Sequence, residues 1–368
     1  MRILLVNKFI FPKGGAETYT FDVGKMLEEH GHEVQYFGLE NEKNIVGNRV
    51  GSYVTNMDFS QGIKANLNAP FRIIYSREAR KKIRAVLDDD TRECVRSLLA
   101  NDFRNIRICI VDNASSKNIV EYDDVIKKDR CDIIYLKNNI GFAGGNNVGI
   151  EYSKKYNPDY YLILNNDTVV KRDFLNPLLR KCIANNKIGI ATGKVLYYDE
   201  PSILWFGGSY FDSKLCEYKI KGIGCIDNGD YDQEAEIYYT TGCFMLIPAA
   251  VLNKVGKMSE DYFLYYEDAD YCERIKSCGF SIYYVPKSII YHKESRSTNK
   301  GSDLYNYYIN RNYMFFVWRY ARGGKFKLVI ARMVNMIKDT IRRRLSLRVM
   351  IKVWVDFILN RQGKMRND

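Results

Sequence analysis

The sequence predicts an α/β fold on a mostly parallel, Rossmann-like sheet, and three features predict it. Short apolar runs of strand type at 2–6, 33–37, 106–111, 133–136 and 160–164 alternate with stretches of helical periodicity. Polar turns follow several of these runs, among them Asp112-Asn113-Ala114-Ser115-Ser116 and Asn165-Asn166-Asp167, at strand carboxyl ends where α/β folds place ligands. The chain has 368 residues, 46% of them apolar and 27% charged, which is enough for a large core and two structural units.

Residues 1–88 read as a partial Rossmann unit. Ile3-Leu4-Leu5-Val6 is a buried-type strand, and Pro12-Lys13-Gly14-Gly15 is a tight turn. A helix over 16–30 carries Phe21 and Leu27 on its apolar face, and 33–37 returns as a second strand. A strongly basic helix is expected over 71–87, ending in Asp88-Asp89-Asp90. Residues 89–318 form the second unit. It opens with a helix over 91–100 and strands at 106–111 and 133–136; a helix starts within 144–152, and a strand at 160–164 delivers Asn165-Asn166-Asp167.

Residues 319–368 are a basic tail. They hold 14 Lys or Arg against 3 Asp or Glu, a balance of +11 out of the chain's +12. Apolar Leu328, Ile330, Met333, Ile337, Ile341 and Leu345 alternate there with basic residues, including Arg342-Arg343-Arg344, as in amphipathic helices suited to an anionic membrane surface. A solvated basic face is the alternative. No zinc spacing, helix-turn-helix signature or RNA-binding aromatic motif is present, which argues against nucleic acid as partner. Nine cysteines, odd in number and without a Cys-x-x-Cys pair, indicate a reducing cytosol. The N-terminal apolar run is too short for a signal peptide, and no run of about 18 apolar residues spans a bilayer.

Two acidic segments carry the chemistry. Leu164-Asn165-Asn166-Asp167 is an apolar strand ending in a turn with one carboxylate, a place to hold a divalent cation. Tyr265-Tyr266-Glu267-Asp268-Ala269-Asp270 is an acidic helix start behind aromatic residues, suited to a shielded general base. Capping of the helix dipole is the alternative for these acids. An Asx turn is likewise the alternative for Asp112. Trp205-Phe206-Gly207-Gly208 offers an aromatic face for a ligand ring, or simply core packing.

Six segments in order resemble family 2 glycosyltransferases of the GT-A fold, particularly the rhamnosyltransferase-like branch, from residue 91 onward. They are Val111-Asp112-Asn113-Ala114-Ser115, Asn139-Ile140-Gly141-Phe142-Ala143-Gly144-Gly145-Asn146-Asn147, Leu164-Asn165-Asn166-Asp167, Thr241-Gly242-Cys243-Phe244-Met245, Tyr266-Glu267-Asp268-Ala269-Asp270 and Tyr291-His292. The resemblance implies an inverting transfer of rhamnose or a hexose from a nucleoside-diphosphate sugar, dTDP-rhamnose or a UDP-hexose, to a cell-surface polysaccharide or lipid-linked acceptor. It implies Mg²⁺ or Mn²⁺ on Asp167 with help from His292. Asp112, Asn113, Asn139, Gly141, Gly144, Asn146, Asn166 and Gly242 would line the nucleotide-sugar. Asp268 would be the base, with Glu267 and Asp270 as substitutes, and Trp205 would meet the acceptor. The expected location is the cytoplasm, peripheral on the inner face of the cell membrane.

The first unit resembles the N-terminal part of family 4 glycosyltransferases, a GT-B-like fragment, through Met1-Arg2-Ile3-Leu4-Leu5-Val6-Asn7-Lys8 and Pro12-Lys13-Gly14-Gly15-Ala16-Glu17-Thr18. Family 2 domains normally open with a Val-Ser-Ile-Ile-Ile-Val-Thr-Tyr-Asn-type strand, which is absent before Thr91. Either strand 2–6 fills that sheet position or the nucleotide pocket lacks an element. The competing expectation is a truncated or fused, non-catalytic nucleotide-sugar or membrane-binding module, or a scaffold subunit of a transferase complex.

Overall fold

The computed structural model describes residues 2–6, 15–31, 33–37, 42–47, 90–103, 105–115, 130–293 and 302–366. The chain divides into two compact units, 1–91 and 92–368. In the first, β1 (Arg2–Val6) and β2 (Glu33–Phe37) pair in parallel, with Arg2 opposite Glu33 and Val6 opposite Phe37. The connecting α1 (Gly15–Glu29) rests on Tyr36, and Gly24 permits this because a Cβ there would overlap the Tyr36 hydroxyl. The βαβ expectation therefore holds. The glycine turn around Gly14 and the basic helix over 71–87 lie outside the described residues.

The second unit begins with α2 (Asp90–Leu99), which turns Cys94, Val95 and Leu98 inward. Next come β3 (Ile108–Asp112) and β4 (Cys131–Tyr135), a parallel pair forming its own two-stranded sheet, and α3 (Gly141–Ser153), packed against β3. The larger sheet takes β5 (Tyr160–Leu164), β6 (Thr168–Val170), β7 (Ile188–Tyr197) and β8 (Leu204–Phe206). Beyond the hairpin of β9 (Ser209–Asp212) and β10 (Glu217–Ile220), it adds β11 (Ala235–Ile237), β12 (Phe244–Pro248) and β13 (Ser281–His292). Helices α4 (Leu175–Ala184), α5 (Ala249–Val255) and α6 (Glu267–Ser277) connect these strands. The path of this seven-stranded sheet is β11-β13-β7-β12-β5, with β6 on β13 and β8 on β7.

The expectation of a mostly parallel sheet is corrected here. In the large sheet only β7 and β13 run parallel, whereas β5–β12, β12–β7, β11–β13, β6–β13 and β7–β8 are antiparallel. The fold is a mixed α/β fold. From β8 to β12 the strands follow one another without an intervening α-helix, and such links favour antiparallel neighbours. The core centres on β7 and β12, whose residues are almost all buried, as continuous apolar runs in an interior strand require.

Three C-terminal helices build a second apolar cluster: α7 (Asp303–Tyr320), α8 (Lys325–Ile341) and α9 (Leu347–Ile358). Ser302 caps α7 by accepting the Tyr305 N–H at 3.2 Å. Val329 and Met336 of α8 and Val349, Met350 and Val353 of α9 fill this cluster. Arg319 and Tyr320 belong to α7, and both reach Asp270.

Candidate active site

The strand β5 ends at Leu164, and the chain turns through Asn165, Asn166 and Asp167 into β6. Because β6 pairs antiparallel with the end of β13, Thr168 lies opposite His292, and the Asp167 carbonyl accepts the Lys293 N–H at 2.9 Å. This register brings the Asp167 carboxylate and the His292 ring together, with Nε2 3.3 Å from Oδ1 and both side chains buried. Among the described residues neither ring nitrogen of His292 makes a hydrogen bond. Trp205 meets the same ring edge-on at 4.5 Å between centroids, so it sits beside His292.

Asp268 is in the first turn of α6. Its Oδ2 accepts the Tyr239 hydroxyl at 2.7 Å and the Gly242 N–H at 3.1 Å, and its Oδ1 accepts the Ala269 N–H at 2.7 Å. Burial raises its carboxyl above the ordinary range, and these three hydrogen bonds pull it back toward the anion. A carboxylate in that balance suits a general base.

The segment Thr241-Gly242-Cys243 joins the two acidic places. The Gly242 N–H points to Asp268, and the next carbonyl, of Cys243, accepts the Asn165 N–H at 3.1 Å. A Cβ on Gly242 would lie 2.7 Å from the Phe142 ring, so the close approach of this segment to α3 requires glycine. The Cys243 thiol is pushed up to about 12, first by burial and further by the charges of Asp167 and Asp268.

The remaining expected residues separate by role. Asp112 is buried, and its Oδ1 accepts the Ser115 N–H at 2.8 Å and the Ser115 hydroxyl, the Asx arrangement. Asn113 ties the end of β3 to α3, accepting from Ile140 N at 2.9 Å and donating to the Gly141 carbonyl at 2.8 Å. Asn139 accepts the Gly141 N–H at 2.9 Å, and Gly141 itself has φ of 84° and no room for a Cβ beneath Phe263. Gly144 packs against Ile140, and Asn146 donates to the Phe142 carbonyl at 2.9 Å. Asn166 is exposed in the turn before Asp167. Glu267 is buried, with burial first and then the neighbouring Asp268 holding its carboxyl far above the usual range. Asp270 is fully buried in a network with Arg274, Arg319 and Tyr320. Asp268 accepts from Tyr239 and Gly242 of the β11–β12 connection, the same connection whose Cys243 carbonyl meets the Asn165 turn, whereas Asp270 is bound by cations and a hydroxyl of α6 and α7.

Two positions, Tyr239 and Asn312, escaped the reading of the sequence, and a third, Asn147, stood in a quoted motif without a role of its own. Tyr239 holds Asp268 directly, and its place just before Thr241-Gly242-Cys243 was the available signal. Asn147 braces α3 to the turn after α5 through Met258 and the Glu260 carboxylate. Asn312, fully buried on α7, donates to the carbonyls of Leu264 and Tyr265 at 2.8 and 2.9 Å. Those bonds hold a turn in which Tyr265 and Tyr266 both adopt left-handed backbone, with φ of 66° and 74°. Such strain persists only when the surroundings enforce it.

Could these residues hold the implied cation? A buried carboxylate and a buried imidazole aimed at each other are suitable donors for a divalent ion. No group of three or more His, Cys, Asp or Glu ligands occurs among the described residues.

One short glycine-bearing segment thus links a carboxylate at a strand end with a buried carboxylate at a helix start, in a mixed α/β fold. Residues 86–256 match the family model Glycosyl transferase family 2. The chain's relatives include "Rhamnosyltransferase WbbL" of Escherichia coli (strain K12), 28% identical over 57% of this chain and 82% of that protein. "dTDP-rhamnosyl transferase RfbF" of Shigella flexneri is 22% identical over 51% of this chain and 60% of that protein. "Low-salt glycan biosynthesis hexosyltransferase Agl10" of Haloferax volcanii is 26% identical over 47% and 54%. The chain thus spans under two thirds of the length of the last two. A solved structure, of GalNAc-T7 with UDP, GalNAc and Mn2+, aligns with 73% of this chain and 54% of its own at 15% identity and a TM-score of 0.47.

Proposed function

We propose that the protein is an inverting, metal-dependent glycosyltransferase that moves rhamnose or a hexose from a nucleoside-diphosphate sugar to a cell-surface polysaccharide or lipid-linked acceptor. The observation that carries this reading is the Gly242–Cys243 link, which holds the base Asp268 and the Asn165–Asp167 turn against one short segment. Asp268 takes the proton of the acceptor hydroxyl as that oxygen bonds to the anomeric carbon, and the C–O bond to the diphosphate breaks on the opposite face. Asp167 and His292 would hold Mg²⁺ or Mn²⁺, which would supply neutralisation of the departing diphosphate. Asn166 and the Asn139 to Asn146 turn line the donor, and Trp205 walls the pocket beside His292. The relatives' printed names favour rhamnose or another hexose as the donor sugar. The protein works in the cytoplasm, peripheral to the membrane, and its first unit is a family 4-like fragment fused ahead of the transferase domain.

The competing reading, a donor-binding or scaffold protein without turnover, draws on one observation. Among the described residues the pair β3–β4 stands as a sheet apart from the seven-stranded one, which fits a nucleotide pocket short of an element. A donor panel of dTDP-rhamnose and UDP-hexoses, assayed with Mn²⁺ and with chelator, separates the two. Asp268→Asn is expected to lower transfer by about 10²–10⁴-fold while donor binding persists. Donor binding without turnover in the unaltered protein supports the competing reading, and unchanged transfer by the variant removes Asp268 as the base.

A further inference from the structure

The outer surface of α8 and α9 carries apolar side chains that the protein itself does not cover. On α8 these are Phe326, Ile330, Val334, Ile337 and Ile341, and on α9 Leu347, Ile351, Val355 and Ile358. Phe326, Ile341 and Ile358 are 71%, 76% and 72% exposed. At about 100° per residue each set falls within roughly 80° of helix arc, a single stripe on each helix. Core packing does not account for the stripes, because α8 already buries Val329 and Met336 and α9 already buries Val349, Met350 and Val353. Each helix therefore has two apolar faces, one facing α7 and one facing solvent. The Ile358 end of the α9 stripe runs into a cleft of about 470 Å³ that Phe315, Trp318 and Phe357 also line.

Basic residues border the stripes. Lys327 and Lys338 lie beside the α8 stripe and Arg348 beside the α9 stripe; Arg342, Arg343 and Arg344 fill the exposed turn between the helices. The acids of the two helices are placed elsewhere: Asp356 is buried against Tyr307, and Asp339 falls on the side of α8 away from its stripe. No helix among the described residues is long and apolar enough to cross a membrane. Exposed apolar stripes edged by cations match a surface that lies in the boundary between headgroups and acyl chains, where apolar burial and attraction to anionic lipid act together.

We infer that α8 and α9 form a docking face for an anionic lipid bilayer, with the Phe326–Ile341 and Leu347–Ile358 stripes entering the interface and Arg342, Arg343 and Arg344 engaging lipid phosphates. This deepens the peripheral-membrane part of the proposed function and is independent of its transfer chemistry. The apolar residues that act differ from the set predicted from the sequence. Met333 and Leu345 pack into the second apolar cluster, whereas Phe326 and Val334 face out.

The test is co-sedimentation of the full chain with phosphatidylcholine vesicles containing or lacking phosphatidylglycerol, at low and raised salt. Binding is expected to need the anionic lipid, to weaken with salt, and to drop about tenfold or more in the double variant Ile330→Gln/Ile337→Gln. A second pair, Ile351→Gln/Ile358→Gln, probes α9, and gel filtration with a melting curve shows that each variant folds. Sugar transfer to a soluble acceptor is measured alongside, so loss of vesicle binding with transfer retained isolates the docking face. Equal binding to neutral vesicles, or binding unchanged in both variants, overturns the inference. So does a dimer of the unaltered protein that both variants abolish while vesicles capture nothing, which would assign the stripes to a second copy.

Discussion

Tyr239→Phe offers the sharpest probe of the base. The Tyr239 hydroxyl donates one of the three hydrogen bonds that hold the Asp268 anion, at 2.7 Å to Oδ2. A hydrogen bond to a charged group contributes about 1.5–3 kcal/mol, and about 1.4 kcal/mol corresponds to one pH unit of a carboxyl's titration. The Gly242 and Ala269 N–H groups remain, so the lower end applies and the acid limb should move up by about one pH unit. The direction follows from the environment: burial already favours the neutral carboxyl, and deleting a donor to the anion favours it further. The assay is the pH dependence of kcat/KM for sugar transfer. Below the limb the variant should run about tenfold slower than the unaltered enzyme at equal pH. The phenyl ring keeps its stack on Tyr218, 4.9 Å between centroids, so the melting temperature should change little. An acid limb that stays in place refutes the assignment of Asp268 as the titrating base held by Tyr239.

Two further variants test the frame around it. Glu267 is raised above the ordinary 4.5 by burial and by Asp268, so the folded state keeps a proton that the unfolded chain releases. Stability is then fully present at acid pH and falls as pH rises from about 4.5 toward the raised value, by at most about 1.4 kcal/mol per pH unit for one proton. Glu267→Gln should flatten that fall in denaturant melts while leaving transfer largely intact; an unchanged slope would show that the folded state holds no such proton on Glu267. Asn312→Leu strips the donors from the Leu264 and Tyr265 carbonyls, and an acceptor left bare costs about 1–3 kcal/mol, the lower end applying to these two partly buried ones. With the left-handed turn released, transfer should fall more than donor binding. Stability and transfer both near those of the unaltered protein would rule out the clamp.

Much of the site could be read in one dimension. The strand over 160–164, the turn Asn165-Asn166-Asp167 and the helix opening at Glu267 occur where the pattern put them, because apolar runs and polar turn residues act locally. Within the acidic helix start, the pattern could not separate three carboxylates one turn apart. Burial and partners separate them: Asp270 is tied to Arg274, Arg319 and Tyr320, Glu267 is enclosed, and Asp268 is held from across the fold by Tyr239 and Gly242. Asp112 was legible as either a ligand contact or a turn former, and its bonds to Ser115 display the turn.

The sequence by itself determined the α/β class, the order of the motifs and the identities of the acids, since periodicity and turn chemistry are properties of near neighbours. Strand direction past residue 200 was decided only in the tertiary structure, because pairing joins residues far apart in the chain. The same holds for the meeting of Asp167 with His292, which depends on the register of β6 on β13. It holds too for the apolar stripes of α8 and α9, because a helix with two apolar faces reveals which one is outward only when the other is packed.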